Sequence, residues 1–295
     1  MIKVRRIGHT MFETNDLDRL ATYYTDVIGL VVASRDKDRV FLASKLGPLA
    51  VELRRGSQAG CRKLAFEIAS DLGLADMERE LSNLGIKSAR SSDPAPGVSG
   101  VLSIQDPQGT EVELFTAPTA LVNDQRPVGV GVEKLGHVAH FAVDLTKTIE
   151  FYTSVLGFRI SDWIGDFFVF MRCNPDHHTV NFLKGDATRL HHIAFQLNDW
   201  SQIKSACDLL GKKNIDIICG PLRHGPGHNI AIYHRNPDDH IVELFCELDT
   251  MPDEELGYFE RRPWHRDNPQ RPKVWPPGPT TNIWGPPASE EFRRR

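Results

Sequence analysis

Between residues 135 and 143 apolar and polar side chains alternate, the period of a half-buried strand. Residues 145–156 then shift to helical spacing, with Gly157 placed as a glycine just past a helix end. Three further strand-like runs follow, around 158–164, 167–173 and 178–183. The next stretch repeats the plan: a strand at 190–197, a helix near 201–210, and strands at 215–219, 229–234 and 241–246. The order is βαβββ. Four such modules, two in each half of the chain, predict an α+β fold with antiparallel-rich sheets and helices on their outer faces.

The two halves are copies of one another. Arg6-Ile-Gly-His9 matches Lys134-Leu-Gly-His137. Seven residues after each histidine comes Asp-Leu (Asp16, Asp144), fifteen after comes a tyrosine (Tyr24, Tyr152), and twenty after comes a glycine (Gly29, Gly157). Lys63-Leu-Ala-Phe matches His192-Ile-Ala-Phe, and Glu113-Leu-Phe matches Glu243-Leu-Phe. The anchors are spaced by 54 and 50 residues in the first half and by 55 and 51 in the second. Such agreement marks a duplicated domain. The expected organisation is a non-catalytic N-terminal domain over 1–120, a linker near 118–133, a metal-binding catalytic domain over 134–249 and a C-terminal arm over 250–295.

The chemistry lies in the difference between the copies. The second carries His137, His192 and Glu243; the first carries His9, Lys63 and Glu113. Two imidazoles and a carboxylate suit a divalent iron-like ion with open positions left for reactants. A charged ammonium has no lone pair to donate, so Lys63 breaks the first set. The C-terminal half is expected to hold metal, and the N-terminal half to serve structure and subunit contacts. Strand alternation predicts that His140 and His191, the runners-up as ligands, face away from the anchors.

Composition narrows the rest. Hydrophobic residues make up 40% and charged residues 25% of the 295, which excludes a disordered chain. A net charge of −4 carries no basic excess for nucleic acid, and no apolar run is long enough to span a membrane. The charged N-terminus is unlike a signal peptide, and five scattered cysteines without a CxxC read as reduced thiols, so a cytoplasmic location is expected. Residues 251–295 hold nine of the 19 prolines and three of the five tryptophans (Trp264, Trp275, Trp284). Proline at that density forbids a long helix, while the aromatics predict an ordered arm anchored on the folded body.

The second half resembles the type I extradiol ring-cleaving dioxygenases of the vicinal oxygen chelate superfamily, the catechol 2,3-dioxygenase and dihydroxybiphenyl dioxygenase group. The resemblance rests on Leu135-Gly-His137, Arg189-Leu-His-His192-Ile-Ala-Phe, Gly220-Pro-Leu-Arg-His224-Gly, Tyr233-His-Arg-Asn-Pro237 and Val242-Glu243-Leu-Phe, with Cys173-Asn-Pro-Asp-His-His178-Thr as the entry to a strand. It implies Fe(II), with Mn(II) accepted by the same ligands, on His137, His192 and Glu243. It further implies His178 as the acid–base group, and His224 and Tyr233 as hydrogen-bonding residues in the pocket. His177 is the alternative to His178, which aligns better. Asn236 stands where the family usually has Asp, and Asn181 where it usually has Ala. The implied substrates are a small aromatic diol and O2, the product a muconic semialdehyde-type acid, and the assembly a homo-oligomer. Rival readings on the same scaffold are a glyoxalase-like isomerase, a thiol transferase, and a ligand-sequestering protein that needs no metal. Isomerases commonly add a fourth protein ligand.

Overall fold

The computed structural model describes residues 2–69, 73–121 and 128–285. The N-terminal half runs β1 (Val4–Thr14), α1 (Leu17–Tyr23), a π-helical turn (Tyr24–Ile28), β2 (Val31–Arg35), β3 (Arg39–Ala43) and β4 (Leu49–Arg55). Its second module is β5 (Gly60–Ile68), α2 (Leu74–Asn83), β6 (Ala89–Ala95), β7 (Val98–Gln105) and β8 (Glu111–Phe115). The C-terminal half repeats this with β9 (Lys134–Ala142), α3 (Leu145–Ser154), β10 (Arg159–Ile164), β11 (Phe168–Arg172) and β12 (Val180–Lys184). It closes with β13 (Arg189–Gln196), α4 (Trp200–Lys212), β14 (Ile217–Arg223), β15 (Ile230–Arg235) and β16 (Ile241–Cys246). The βαβββ order expected from the hydrophobic pattern is the order observed.

The repeated residues have local jobs. Asp16 and Asp144 are N-caps whose side chains accept from the backbone N–H of Arg19 and Lys147 at 3.1 and 3.0 Å, and the following Leu17 and Leu145 are the first buried helical positions. Gly157, with φ +72°, takes the left-handed turn that leads the chain back into the sheet. Tyr24 and Tyr152 are wholly buried; Tyr152 packs against Phe158 and Phe182.

Each half forms one sheet. The strand order is β2-β3-β4-β1-β5-β8-β7-β6 in the first; in the second it is β14-β15-β16-β13-β9-β12-β11-β10 plus a last strand from the arm, β17 (Lys273–Trp275). Within every module the first strand pairs in parallel with the fourth, and the first strands of two modules meet antiparallel at the sheet centre. Alternation then separates two faces. Ile193 and Phe195 enter a continuous core shared by both halves, in which Tyr24 meets Phe195 and Phe66 meets Tyr152 and Phe158. Ala194 and Phe245 turn to the other face, as do Ala65 and Phe115 in the first copy. That second face carries the anchors.

The described parts of the linker bond to both halves: Thr119 N–H donates to Gly97, Val130 and Gly131 donate to Val27 and Ile28, and the Val130 and Gly131 carbonyls accept from Gln202 of α4. Residues 122–127, with Pro127, lie outside the described residues. The arm runs over the C-terminal half. Trp264 stacks under the Arg223 guanidinium at 4.1 Å, Trp284 touches Arg223 and Trp200, and β17 extends the sheet beside β10. A buried clasp joins arm and body: His228 Nδ1 and His265 Nε2 each contact one oxygen of Asp249, at 2.7 and 2.8 Å. Burial alone would raise the Asp249 carboxyl, but these two histidines outweigh it and hold it near 2. Residues 286–295 lie outside the described part.

Candidate metal centre

The register brings the three C-terminal anchors together. His137 on β9 and Glu243 on β16 both pair with Ala194 of the strand between them, and His192 lies two residues earlier on the same face of β13. Because Ala194 offers only a methyl group, nothing fills the space between its neighbours. His137 Nε2 and His192 Nε2 stand 3.2 Å apart, and each is 3.1 Å from Glu243 Oε2. All three side chains are buried.

This donor set fits a divalent ion. With metal–ligand bonds of about 2.1 Å, donors at right angles stand roughly 3.0 Å apart and tetrahedral donors roughly 3.4 Å. The observed edges lie nearer the right-angled face, the arrangement that leaves neighbouring positions open. Supporting contacts orient the donors: Asn229 Nδ2 donates to Glu243 Oε1 at 2.9 Å, and His192 Nδ1 meets His191 Nδ1 at 2.6 Å, leaving both Nε2 and Oε2 for the centre. Burial alone would raise the Glu243 carboxyl, yet the two imidazoles hold it well below the usual carboxylate range, while burial lowers His137. The set is one carboxylate and two imidazoles.

The first copy carries its own cation. His9 and Glu113 again flank an alanine, Ala65, and Lys63 takes the position of His192. Lys63 Nζ lies 2.7 Å from Glu113 and 3.5 Å from Glu52, both buried. Burial would lower the ammonium, but the two carboxylates raise it. Burial first, and then Lys63, push His9 down to about 3, so it stays neutral and cannot compete for the charge.

A cavity of about 440 Å³ opens from His137, His192 and Glu243. Phe168, Phe170, Leu183, Ile164, Ile218 and Leu222 give it apolar walls, and Gly278 and Thr281 of the arm close part of its rim. His178 lines it with its ring 4.3 Å from that of His137, and burial holds the imidazole well below its usual pKa. His177 is not on the wall; it sits behind His178 against Phe259. Tyr233 OH donates to His224 Nε2 at 2.7 Å, because the other His224 nitrogen already donates to the Thr281 carbonyl at 2.9 Å. Burial, and then the Glu243 charge, raise the Tyr233 phenol well above 10, so it keeps its proton.

One facing rule fails. His191, expected to point away from the anchors, lines the cavity and touches His192. The cause is a bulge between Leu190 and His192 in the β13–β9 pairing, which breaks the two-residue alternation at that point. His140, by contrast, is not on the cavity wall; it pairs with Phe182 in the core. Sequence reasoning passed over Asn229 and Asp162, for which no repeat or spacing offered a signal. Asn181, singled out only as a departure, lines the cavity with a buried carbonyl oxygen that has no hydrogen-bond partner.

The Gly-His motif has a packing cause. A Cβ on Gly136 would fall 2.4 Å from the Phe245 ring, and the same holds for Gly8 and Phe115. Phe245 in turn lies 5.0 Å from the His137 ring, so the glycine ties His137 to the strand of Glu243. Gly136→Ala is expected to cost about 1–3 kcal/mol in urea unfolding and to weaken metal retention, since the buried ring must move. An unchanged midpoint and metal content would show that the ring has room to yield.

Paired βαβββ modules with a clustered two-histidine, one-carboxylate set define a class of metal proteins. Residues 134–244 match the family model of the Glyoxalase/Bleomycin resistance protein/Dioxygenase superfamily. Among curated relatives, a 3-methylcatechol 2,3-dioxygenase of Pseudomonas putida is 28% identical over 261 residues, 82% of this chain and 89% of the relative. An iron-dependent extradiol dioxygenase of Rhodococcus jostii is 22% identical over 283 residues, 86% of this chain and 92% of the relative. Among solved structures, a Mn(II)-bound glyoxalase of Novosphingobium aromaticivorans superposes with a TM-score of 0.83 at 25% identity, covering 97% of this chain and 92% of that one.

Proposed function

We propose that this chain cleaves a catechol-type aromatic diol with O2, beside rather than between the two hydroxyls, at an Fe(II) held by His137, His192 and Glu243. The observation that carries the reading is the convergence of these three donors, 3.1–3.2 Å apart, at the inner end of an apolar cavity. The extradiol dioxygenases among its relatives support the same chemistry. Fe(II) held there would supply Lewis acidity toward the diol and redox access to dioxygen. The division of labour follows: residues 1–120 act as a non-catalytic copy, 134–249 as the catalytic domain, and 250–295 as an arm over it.

The chain's own residues do the rest. His178, neutral and on the cavity wall, receives and returns a proton at the oxygens of the reacting pair. Tyr233, on turning its O–H from His224 Nε2 to the substrate oxygen, donates to the charge that develops there, worth about 2–4 kcal/mol for a well-placed donor, and His224 holds that hydroxyl in place beforehand. Phe168, Phe170 and Leu183 orient the ring, while Gly278 and Thr281 help keep water out. No lysine or arginine is among the described residues that line the cavity. An anionic substituent would be buried unpaired, so the favoured rings carry alkyl or aryl groups rather than carboxylates.

An oxygen-uptake panel on anaerobically purified, Fe(II)-loaded protein tests the reading. Alkyl and aryl catechols are expected to consume one O2 each and give a yellow product; no uptake with any vicinal diol would remove the proposal. Tyr233→Phe is expected to lower turnover roughly 10²-fold with iron content unchanged; lost iron would mark Tyr233 as structural.

The glyoxalase similarity favours a second reading, an oxygen-independent isomerase. The donors clustered at this centre number three among the described residues, without the fourth protein ligand common in such enzymes. Turnover under Mn(II) without oxygen would decide for it. The family resemblance also supports a homo-oligomer, to be tested by light scattering. Unpaired cysteines support a reducing, cytoplasmic setting, and no described helix is long and apolar enough to cross a membrane.

A further inference from the structure

Behind His178 lies a buried polar chain that the reaction as described above does not use. His178 Nδ1 is 2.9 Å from His177 Nδ1, and His177 Nε2 is 3.1 Å from Asp162 Oδ2. Asp162 and His177 are both about 1% exposed. The carboxylate also accepts the backbone N–H of Lys273 on Oδ1 at 2.8 Å and the Trp275 indole N–H on Oδ2 at 2.6 Å. Both come from the arm, more than a hundred residues further along the chain, and both can only donate.

Those donors point to one direction for the chain. As a carboxylate, Asp162 only accepts, so the remaining contact takes its proton from His177 Nε2. A neutral imidazole protonated there offers its Nδ1 lone pair, and the Nδ1–H of His178 is the group that meets it. The nitrogen His178 has left for the cavity is then an unprotonated Nε2. Gly227 (φ +73°) packs close beside both rings: a Cβ there would fall 2.9 Å from Leu248 Cδ1, 3.2 Å from His177 Nδ1 and 3.3 Å from His178 Cε1.

We propose that Asp162 is a positioning residue for ring cleavage: through His177 it fixes the tautomer and orientation of His178, and the arm takes part by holding Asp162. The kinetic consequence rests on the ring-cleavage reading; the tautomer does not. An acceptor nitrogen facing the cavity suits a group that must first take a proton from a diol hydroxyl. The arm is thereby part of the reaction apparatus and not only a cover.

Full-length protein carrying ¹⁵N-labelled histidine, metal-free and Zn(II)-loaded, tests the tautomer by long-range ¹H–¹⁵N correlation, with His178→Gln identifying the signals. The wild type is expected to show His178 protonated on Nδ1 and not on Nε2. A proton on Nε2 would overturn the proposal whatever the enzyme's activity. In Asp162→Asn the amide can donate to His177, so the pattern is expected to reverse or average. In the Fe(II)-loaded variant kcat is expected to fall roughly 10²-fold with KM and iron content little changed. Trp275→Phe, which keeps the ring and removes one donor to Asp162, is expected to fall roughly tenfold and serves if Asp162→Asn does not fold. Wild-type tautomer and kcat in the folded variants would overturn the inference. A wild-type protein with the expected tautomer but no oxygen uptake would leave the positioning intact and remove the ring-cleavage reading instead.

Discussion

Glu243→Gln is expected to abolish iron retention and to cut ring-cleavage turnover by at least roughly 10³-fold, while the equivalent change in the first copy, Glu113→Gln, leaves both unchanged. The reason is charge as much as geometry. Glu243 is the single anion of the buried donor set, and its Oε2 stands 3.1 Å from both imidazoles. Without it a doubly charged ion would sit in a buried site among neutral donors, and Asn229, which donates to Oε1 at 2.9 Å, would lose its charged acceptor. Partners that only orient a metal ligand cost 10–100-fold when removed, so loss of the anionic ligand itself should cost more. Metal analysis and oxygen uptake on the two variants read this out together. Iron retained by Glu243→Gln but lost by Glu113→Gln would place the metal in the wrong half.

Lys63→Met is expected to destabilise the folded chain by about 3–5 kcal/mol without touching the metal centre, because it leaves Glu113 and Glu52 buried with no cation. Urea unfolding followed by circular dichroism measures the loss. Lys63→His makes the complementary test, since it restores the two-histidine, one-carboxylate pattern in the same strand register. Adding Mn(II) or Zn(II) should stabilise that variant more than the wild type and raise its metal content toward two ions per chain. Equal stabilisation of the two proteins would sink the idea that Lys63 stands in for an ion.

How much of the site could be read beforehand varies residue by residue. His137, His192 and Glu243 were legible because the duplication supplied their counterparts at matching intervals, and Lys63 showed which copy had changed. The register confirms the physical sense of the spacing: in each half two anchors flank one alanine, Ala194 or Ala65. His191 was misread, since the facing rule assumes an uninterrupted strand and the bulge beside His192 interrupts it. Asp162, Asn229 and Asp249 carried no signal, each acquiring its role from a partner far away in sequence.

The chain's own order of residues determined the four βαβββ modules, the duplication, the donor set of the second copy and the tethered cation of the first. These depend on periodicity and on matched intervals, which are local or self-referential. Tertiary structure alone decided that His178 lines the cavity with His177 behind it, that His191 turns inward, and that the arm reaches Asp162 through Trp275. Those outcomes depend on strand register, a bulge and contacts across more than a hundred residues, and such contacts leave no periodic trace in the residues that make them.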